Sequence, residues 1–182
     1  MPVLVDENVP LRVALAALKV DAISHKGEVA NLRSQFPHTI TFEAWNHEET
    51  CVPWALRLTG DAVYEGVRRR HQEIFAGAAF AGWICDRHLV ELPTPKLDCL
   101  VFYSADEAFK HAGIMIGEDR VRSKWGELPR YTHQLAEVPA NYGSRVSFFA
   151  RPSEQEARDW FRAFAMHSGL TSEQISLAQQ GE

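Results

Sequence analysis

Cysteine is scarce in this 182-residue chain, which contains only Cys51, Cys85 and Cys99. An odd number of cysteines without regular spacing does not fit a disulfide-stapled secreted domain. Long apolar runs are also missing, so no segment is predicted to span a membrane. Residues 1–7 lack the basic and apolar regions of a signal peptide. We therefore expect a cytoplasmic protein, and export by a route without a cleaved signal stays open.

Positive charge is in the minority, with 19 Lys and Arg against 24 Asp and Glu, for a net charge of −5. This balance argues against nucleic acid or an anionic membrane as the main partner. The sequence has no glycine-rich phosphate loop and no Gly-x-Ser-x-Gly elbow. Cys85 and His88 have the spacing of half a zinc site, but no second ligand pair accompanies them. No metal and no cofactor are expected.

Helical signals occupy the first part and the end of the chain. Apolar residues over 10–20 predict a short buried helix, whereas residues 21–45 resemble an irregular arm with one strand near 39–42. Asp61 is typical of the cap of a helix that continues to about Phe75. Two capping boxes predict two closing helices, and they are formed by Ser153 with Glu156 and by Thr171 with Gln174.

Strand patterns fill the second half of the chain. Residues 97–104 form a nearly continuous apolar run, and three further strands are predicted over 111–117, 120–125 and 143–150. Helices followed by an antiparallel sheet and closing helices define an α+β protein. We expect a single domain over residues 1–182, with an N-terminal arm and helix (1–45), a core (46–151) and C-terminal helices (152–182).

Cys51 lies between an acidic run and a short apolar segment that closes at Gly60. Thr50 or Glu49 would cap a helix there, and Pro53 would lie in its first turn, where a missing N–H costs nothing. Backbone amides at a helix N-terminus favour a thiolate, so we expect a reactive thiol with a depressed pKa. Packing as a small buried residue is the alternative.

A nucleophilic cysteine needs a base, which a third group usually orients. His111 begins the predicted strand 111–117, so its side chain can project from the end of the strand toward the Cys51 helix. Antiparallel pairing would bring Ser123 or Lys124, on the next strand, beside His111. The sequence therefore predicts a Cys51–His111 dyad with Ser123 as the candidate third residue.

These motifs resemble the NlpC-type branch of the papain-like cysteine peptidases. That family reads roughly Gly-Asp-Leu-Val-Phe-Phe and then His-Val-Gly-Ile-Tyr-Ile-Gly, where this chain has Asp-Cys-Leu-Val-Phe-Tyr at 98–103 and His-Ala-Gly-Ile-Met-Ile-Gly at 111–117. The resemblance covers residues 51 to about 125. Two further segments, 51–56 and 123–126, look like a less characterised bacterial group that is similar to the same peptidases.

The resemblance implies a papain-like α+β fold and hydrolysis of an amide, such as one in a peptidoglycan peptide, without a cofactor. Cys51 would be the nucleophile and His111 the base, and Ser123 stands where the family usually has a second histidine. The resemblance also implies that the Cys51 N–H and a donor such as Asn46 or His47 would hold the oxyanion. From the residues themselves, Lys124 is a further orienting candidate. Trp54 and Trp125 are candidate substrate contacts, with packing in the core as the alternative, chiefly for Trp54.

Several functions stay open for such a site. The protein could be a cytosolic peptidase or amidase, or a toxin or effector with a cognate inhibitor or immunity protein as partner. An acyltransferase would use the same Cys–His pair. A binding or immunity-type module could keep the fold without the chemistry, because a serine orients an imidazole less firmly than the usual third residue does.

Overall fold

The fold is described from a computed structural model that covers residues 3–5, 7–18, 21–44 and 50–180. It is mixed α+β with an antiparallel sheet, which confirms the predicted class. The helices of the described residues are α1 (Val9–Ala17), α2 (Ala22–Leu32), α3 (Cys51–Ala55), α4 (Ala62–Arg70), α5 (Ala78–Arg87), α6 (Glu154–His167) and α7 (Ser172–Gln179). The strands are β1 (Val3–Leu4), β2 (Thr41–Ala44), β3 (Glu91–Leu92), β4 (Leu100–Ala105), β5 (Ala108–Met115), β6 (Arg120–Lys124), β7 (Arg130–Gln134) and β8 (Arg145–Phe149).

The strands form one sheet in the order β1-β8-β4-β5-β6-β7-β2, and β3 also pairs with β8. All of these pairings are antiparallel. Strands β4, β5 and β6 are consecutive along the chain and adjacent in the sheet, so they form an antiparallel meander. Strand β5 therefore lies in the middle of the sheet, with β4 on one side and β6 on the other.

Both faces of the sheet are covered, so the molecule has three layers. Side chains of a strand alternate between the two faces. Ala112 and Ile114 of β5 pack with the helical layer that contains α3 to α7. Met115, on the opposite face of β5, packs with Leu11 of α1 and Val29 of α2. The N-terminal residues therefore build the second layer of the core.

Local capping chemistry explains the helices that the sequence predicted well. The Asp61 carboxylate accepts hydrogen bonds from the N–H groups of Val63 and Tyr64, at 3.0 Å each, and begins α4. Both predicted capping boxes are present, at Ser153 and Thr171. These predictions are confirmed, although α4 ends at Arg70, before the expected residue 75.

Other predictions were wrong. The arm expected to be irregular contains α2, which begins because the Asp21 carboxylate accepts from the N–H groups of Ile23 and Ser24. Strand β7 and helix α5 were not predicted. Strand β5 begins at Ala108 and not at the expected residue 111, because a two-residue turn at Asp106 and Glu107 joins it to β4. The φ values of these two residues, 50° and 64°, match the turn that suits the twist of paired strands.

Candidate active site

Cys51 is the first residue of α3, and Thr50 precedes it as the backbone cap without a side-chain capping bond. The thiol is half-buried. Burial raises the pKa of Cys51, while the N–H groups of Ala112 and Val52 and the Lys124 ammonium act in the opposite direction. The expectation of a depressed pKa is therefore wrong, because α3 has only five residues and desolvation outweighs its amides. Cys51 is a neutral thiol at neutral pH.

His111 lies on β5 between two tyrosine rings. Its imidazole stacks on Tyr142, with ring centroids 4.0 Å apart and planes inclined by 9°, and contacts Tyr103 with centroids 5.7 Å apart. The residue is buried, and its Nε2 atom has no hydrogen-bond partner among the described residues. Burial, and secondarily the charge of His133, lower the pKa of His111 well below its ordinary value. The imidazole is therefore neutral at pH 7 and able to accept a proton.

The thiol meets β5 beside His111, where the β5–β6 pairing ends. Paired residues of these strands run from Met115–Val121 to Gly113–Ser123, one position short of Ala112. The Ala112 N–H is one of the backbone groups that lower the pKa of the Cys51 thiol, so it lies close to the sulfur. Cys51 packs with the helical layer, whereas the His111 ring lies with Tyr103 on the opposite face. The two groups therefore approach the same point of β5 from different layers.

Tyr142 contacts this point from a 3₁₀ turn over Ala140–Tyr142. Burial raises the pKa of Tyr142, and the thiolate form of nearby Cys51 acts in the same direction. Its ring stacks on His111. Gly143 follows with φ +87°, and a Cβ there would lie 2.2 Å from the Ser104 carbonyl oxygen. The backbone therefore needs glycine at this position to bring Tyr142 over the imidazole.

Ser123 does not orient His111, which corrects the predicted triad. Its hydroxyl lies 2.8 Å from His133 Nε2 and accepts the Trp125 indole N–H at 3.0 Å. His133 Nδ1 lies 2.7 Å from the Gln134 carbonyl oxygen, which can only accept, so Nδ1 carries the proton and Nε2 is the acceptor. The single Ser123 hydrogen therefore points at His133. The register of β5 and β6 explains why the predicted triad was wrong, because Ser123 pairs with Gly113 and not with His111.

Lys124 lies on the thiol side of β6. Its ammonium is buried and donates to the carbonyl oxygens of Gly126 and Leu128, at 2.7 and 2.5 Å. Its charge lowers the pKa of Cys51 without overcoming burial. Lys124 therefore acts on the thiol electrostatically and is held by backbone contacts.

The two tryptophans predicted to contact substrate differ in accessibility. Trp125 is fully buried against Tyr131 and His25, so its assignment to a substrate groove is wrong for the folded protein. Trp54 is half-buried, lies under the Arg130 guanidinium at 5.5 Å and borders a cavity of about 310 Å³. Asn46 and His47, the predicted oxyanion donors, lie outside the described residues.

Sequence reasoning missed Tyr142 and His133, which contribute to the environment of His111. Neither belongs to a periodic pattern or to a motif that includes Cys51. The Tyr142-Gly143 pair just before β8 is the one local signal, since glycine permits the backbone approach there. His133 lies two strands from β5, a relationship that only the strand order reveals.

No group of three or more His, Cys, Asp or Glu side chains in the described part of the chain is arranged to hold a metal ion. No helix within the same residues is long and apolar enough to cross a membrane.

Comparison of the chain with protein-family models, with curated proteins and with solved structures gives no match. The function proposed below therefore depends on the geometry of the site and on the sequence motifs.

Proposed function

We propose that this protein is a papain-like cysteine hydrolase that cleaves an amide bond with Cys51 as nucleophile and His111 as base. The supporting observations are that the N–H of Ala112, the residue next to His111, lowers the pKa of the Cys51 thiol and so lies close to it, and that the buried His111 Nε2 has no partner among the described residues. A buried and unpaired imidazole nitrogen is costly in a purely structural residue, and such exceptions are enriched at reactive sites.

Because both groups are neutral at pH 7, the reaction begins by general-base catalysis rather than from a preformed ion pair. His111 takes the thiol proton as sulfur attacks the carbonyl carbon, and the imidazolium then gives that proton to the leaving amine. His111 then deprotonates a water molecule, which attacks the thioester carbonyl. The imidazolium returns this proton to the sulfur as the carbon–sulfur bond breaks, which releases Cys51 and the acid product. The Ala112 N–H and Lys124 stabilise the developing negative charge on sulfur.

The substrate class follows from the family resemblance, which suggests a peptidoglycan peptide or a similar amide. Cavities at both ends of α3 fit an extended substrate. One of about 540 Å³ borders Thr50, and the one of about 310 Å³ borders Trp54. Thr50 and Trp54 flank Cys51 along the chain, which is why we expect the two ends of a bound peptide to occupy these cavities.

Purified muropeptides and a peptide-amide library, analysed by mass spectrometry, test this function. Cys51→Ala and His111→Ala should each lower hydrolysis by about a thousandfold, as expected for loss of a nucleophile or a general base. Cys85→Ala and His88→Ala are matched controls, because this half-buried pair lies on and next to α5, away from the site. Hydrolysis that persists in both site variants would contradict the mechanism.

A binding module on the same fold is the second candidate. It is favoured by the raised pKa of Cys51 and the depressed pKa of His111, because the substrate-free protein then has no thiolate–imidazolium pair. An acyl-enzyme trapped on Cys51 by rapid acid quench would exclude it. Transfer of the trapped acyl group to an added amine faster than to water would instead identify an acyltransferase.

A further inference from the structure

The cavity beside Trp54 has an unusual concentration of positive charge. It has a volume of about 310 Å³ and lies on the face of the sheet that α3 covers. Its lining combines apolar side chains, among them Trp54 and Ile114, with three arginines and one aspartate, namely Arg57, Arg122, Arg151 and Asp98.

The contacts of the arginines leave this cavity with a net positive charge. Arg151 is fixed, because its Nε donates to the Ala55 carbonyl at 3.0 Å and its Nη1 lies 2.5 Å from the Asp98 carboxylate. Arg57 contacts the same carboxylate at 3.5 Å, and 42% of its side chain is exposed. Arg122 donates through Nε to Glu43 at 2.8 Å. Glu43 also pairs with Arg130 at 3.5 Å, so the guanidinium groups in these ion pairs outnumber the two carboxylates, Asp98 and Glu43.

The backbone is strained where two of these residues meet. Arg57 has φ +58° and Asp98 has φ +62°, in the left-handed region that favours glycine. Residues held there tend to lie at functional sites, where surrounding contacts offset the strain. Here Arg57 and Asp98 both line the cavity and contact one another at 3.5 Å.

The cavity is bordered by residues that lie close to Cys51 or Ala112 along α3 and β5. Trp54 is three residues after Cys51 on α3, and Ile114 is two residues after Ala112, whose N–H contacts the sulfur. Two residues of a strand span about 7 Å, which is the length of about two extended substrate residues.

We propose that this cavity is a specificity site that binds a carboxylate of the substrate, about two residues from the amide that is cleaved. Arg57 and Arg122 bind the carboxylate, Arg151 and Asp98 hold the wall, and Trp54 covers the apolar part of the residue that carries it. The assignment as a substrate subsite rests on the proposed hydrolase function. The carboxylate belongs either to an acidic side chain or to the end of a peptide.

Titration calorimetry on the Cys51→Ala variant measures this binding without turnover. The probes are acetyl-Ala-Ala-Glu-amide, acetyl-Ala-Ala-Gln with a free carboxyl terminus, and acetyl-Ala-Ala-Gln-amide as the neutral reference. At least one acidic probe should bind about tenfold more tightly than the reference, as expected for charge-assisted hydrogen bonds to arginine. The tighter of the two acidic probes identifies the source of the carboxylate.

Arg57→Gln and Arg122→Gln, introduced separately, should each reduce the preference for the acidic probe about fivefold or more. Arg70→Gln is the matched control, because Arg70 is exposed at the end of α4 and its replacement removes the same positive charge. Thermal unfolding of each variant verifies that it is folded. Equal affinity for all three probes, or an equal effect of Arg70→Gln, would overturn the proposal.

The two proposals fail differently. A carboxylate preference with no amide hydrolysis by the wild-type protein would refute the hydrolase and leave an anion-binding site. Hydrolysis that depends on Cys51 but ignores the charge of the substrate would refute the carboxylate site and leave the hydrolase.

Discussion

The imidazole of His111 lies flat against the phenol ring of Tyr142, with ring centroids 4.0 Å apart and planes inclined by 9°. This stack is the main described contact that fixes the ring, since Nε2 has no hydrogen-bond partner among the described residues. The base of the proposed dyad is therefore oriented by an aromatic face rather than by a hydrogen-bonded third residue.

Replacing Tyr142 tests this orientation. Tyr142→Ala should lower kcat about tenfold, because the base of the proposed dyad loses the stacked ring that fixes its position. It should also lower the free energy of unfolding by about 2 kcal/mol through lost aromatic contact. The pKa of His111 should rise toward its ordinary value as the ring becomes hydrated. Kinetics, urea unfolding and imidazole NMR measure the three effects.

Tyr142→Phe is the control for that experiment. It keeps the stacked ring and removes only the hydroxyl, so kcat should stay within about twofold of wild type. A loss as large as that of Tyr142→Ala would mean that the hydroxyl, and not the stack, acts on the site.

The reactivity of Cys51 should depend steeply on pH. Because burial raises the pKa of the thiol, its rate of alkylation by iodoacetamide should increase about tenfold per pH unit from pH 7 to pH 9. Lys124→Met removes a charge that lowers this pKa, so alkylation should be slower at every pH. The measurement uses a Cys85→Ala, Cys99→Ala background, so that Cys51 is the remaining thiol. A plateau already reached near pH 7 would contradict the raised pKa.

Ser123→Ala separates a structural role from a catalytic one. The change leaves His133 Nε2 and the Trp125 indole N–H without their buried partner, which should cost about 2 kcal/mol of stability. Activity per folded molecule should change less than threefold, because the hydroxyl does not serve His111. Ser147→Ala, at a half-buried position on β8, is the matched control and should be nearly neutral. A large fall in kcat at unchanged stability would restore Ser123 to the catalytic group.

The protein should lose stability as the solution is acidified below about pH 6.5. Burial lowers the pKa of His133 to about 4, and the unfolded chain has the ordinary value of 6.5. Between these values only the unfolded state binds the proton, so the free energy of unfolding should fall by about 3 kcal/mol from pH 6.5 to pH 4. His111 adds to the fall in the same direction.

Urea unfolding at a series of pH values measures this dependence. His133→Gln should flatten the acid limb, whereas His167→Gln, at an exposed histidine of α6, should leave it unchanged. An acid limb of equal size in His133→Gln would mean that His133 does not remain neutral in the folded state.

The sequence predicted those parts of the fold that depend on neighbouring residues. Ser153 and Glu156 form their capping box within four residues, and the apolar run before Ser104 needs no distant partner to be recognised as a strand. Helix α2 was missed because Ser24, Lys26 and Gly27 weaken its apolar periodicity, so that its start depends on the Asp21 cap. Strand β7 was missed because its buried Thr132 and His133 are polar.

The site shows the same division between local and distant information. Cys51 and His111 were selected by motifs within short segments, and the structure brings them to neighbouring positions through Ala112. The partner of Ser123 could not be predicted, because it depends on which residue of β7 faces it across the sheet. Burial likewise decides the pKa of Cys51, and a sequence does not state how much protein covers a thiol.

Arg12 extends from α1 to the carbonyl oxygens of Val5, Val138 and Gly143, next to the turn that carries Tyr142. Strand β2, also from the first 45 residues, pairs with β7. Cleavage of the chain between residues 44 and 50 would therefore yield two complementary fragments, each of which lacks half of an interface. Mixing them should regenerate the thiol environment only on association, so this division could be used to make a split reporter whose signal is the recovered reactivity of Cys51.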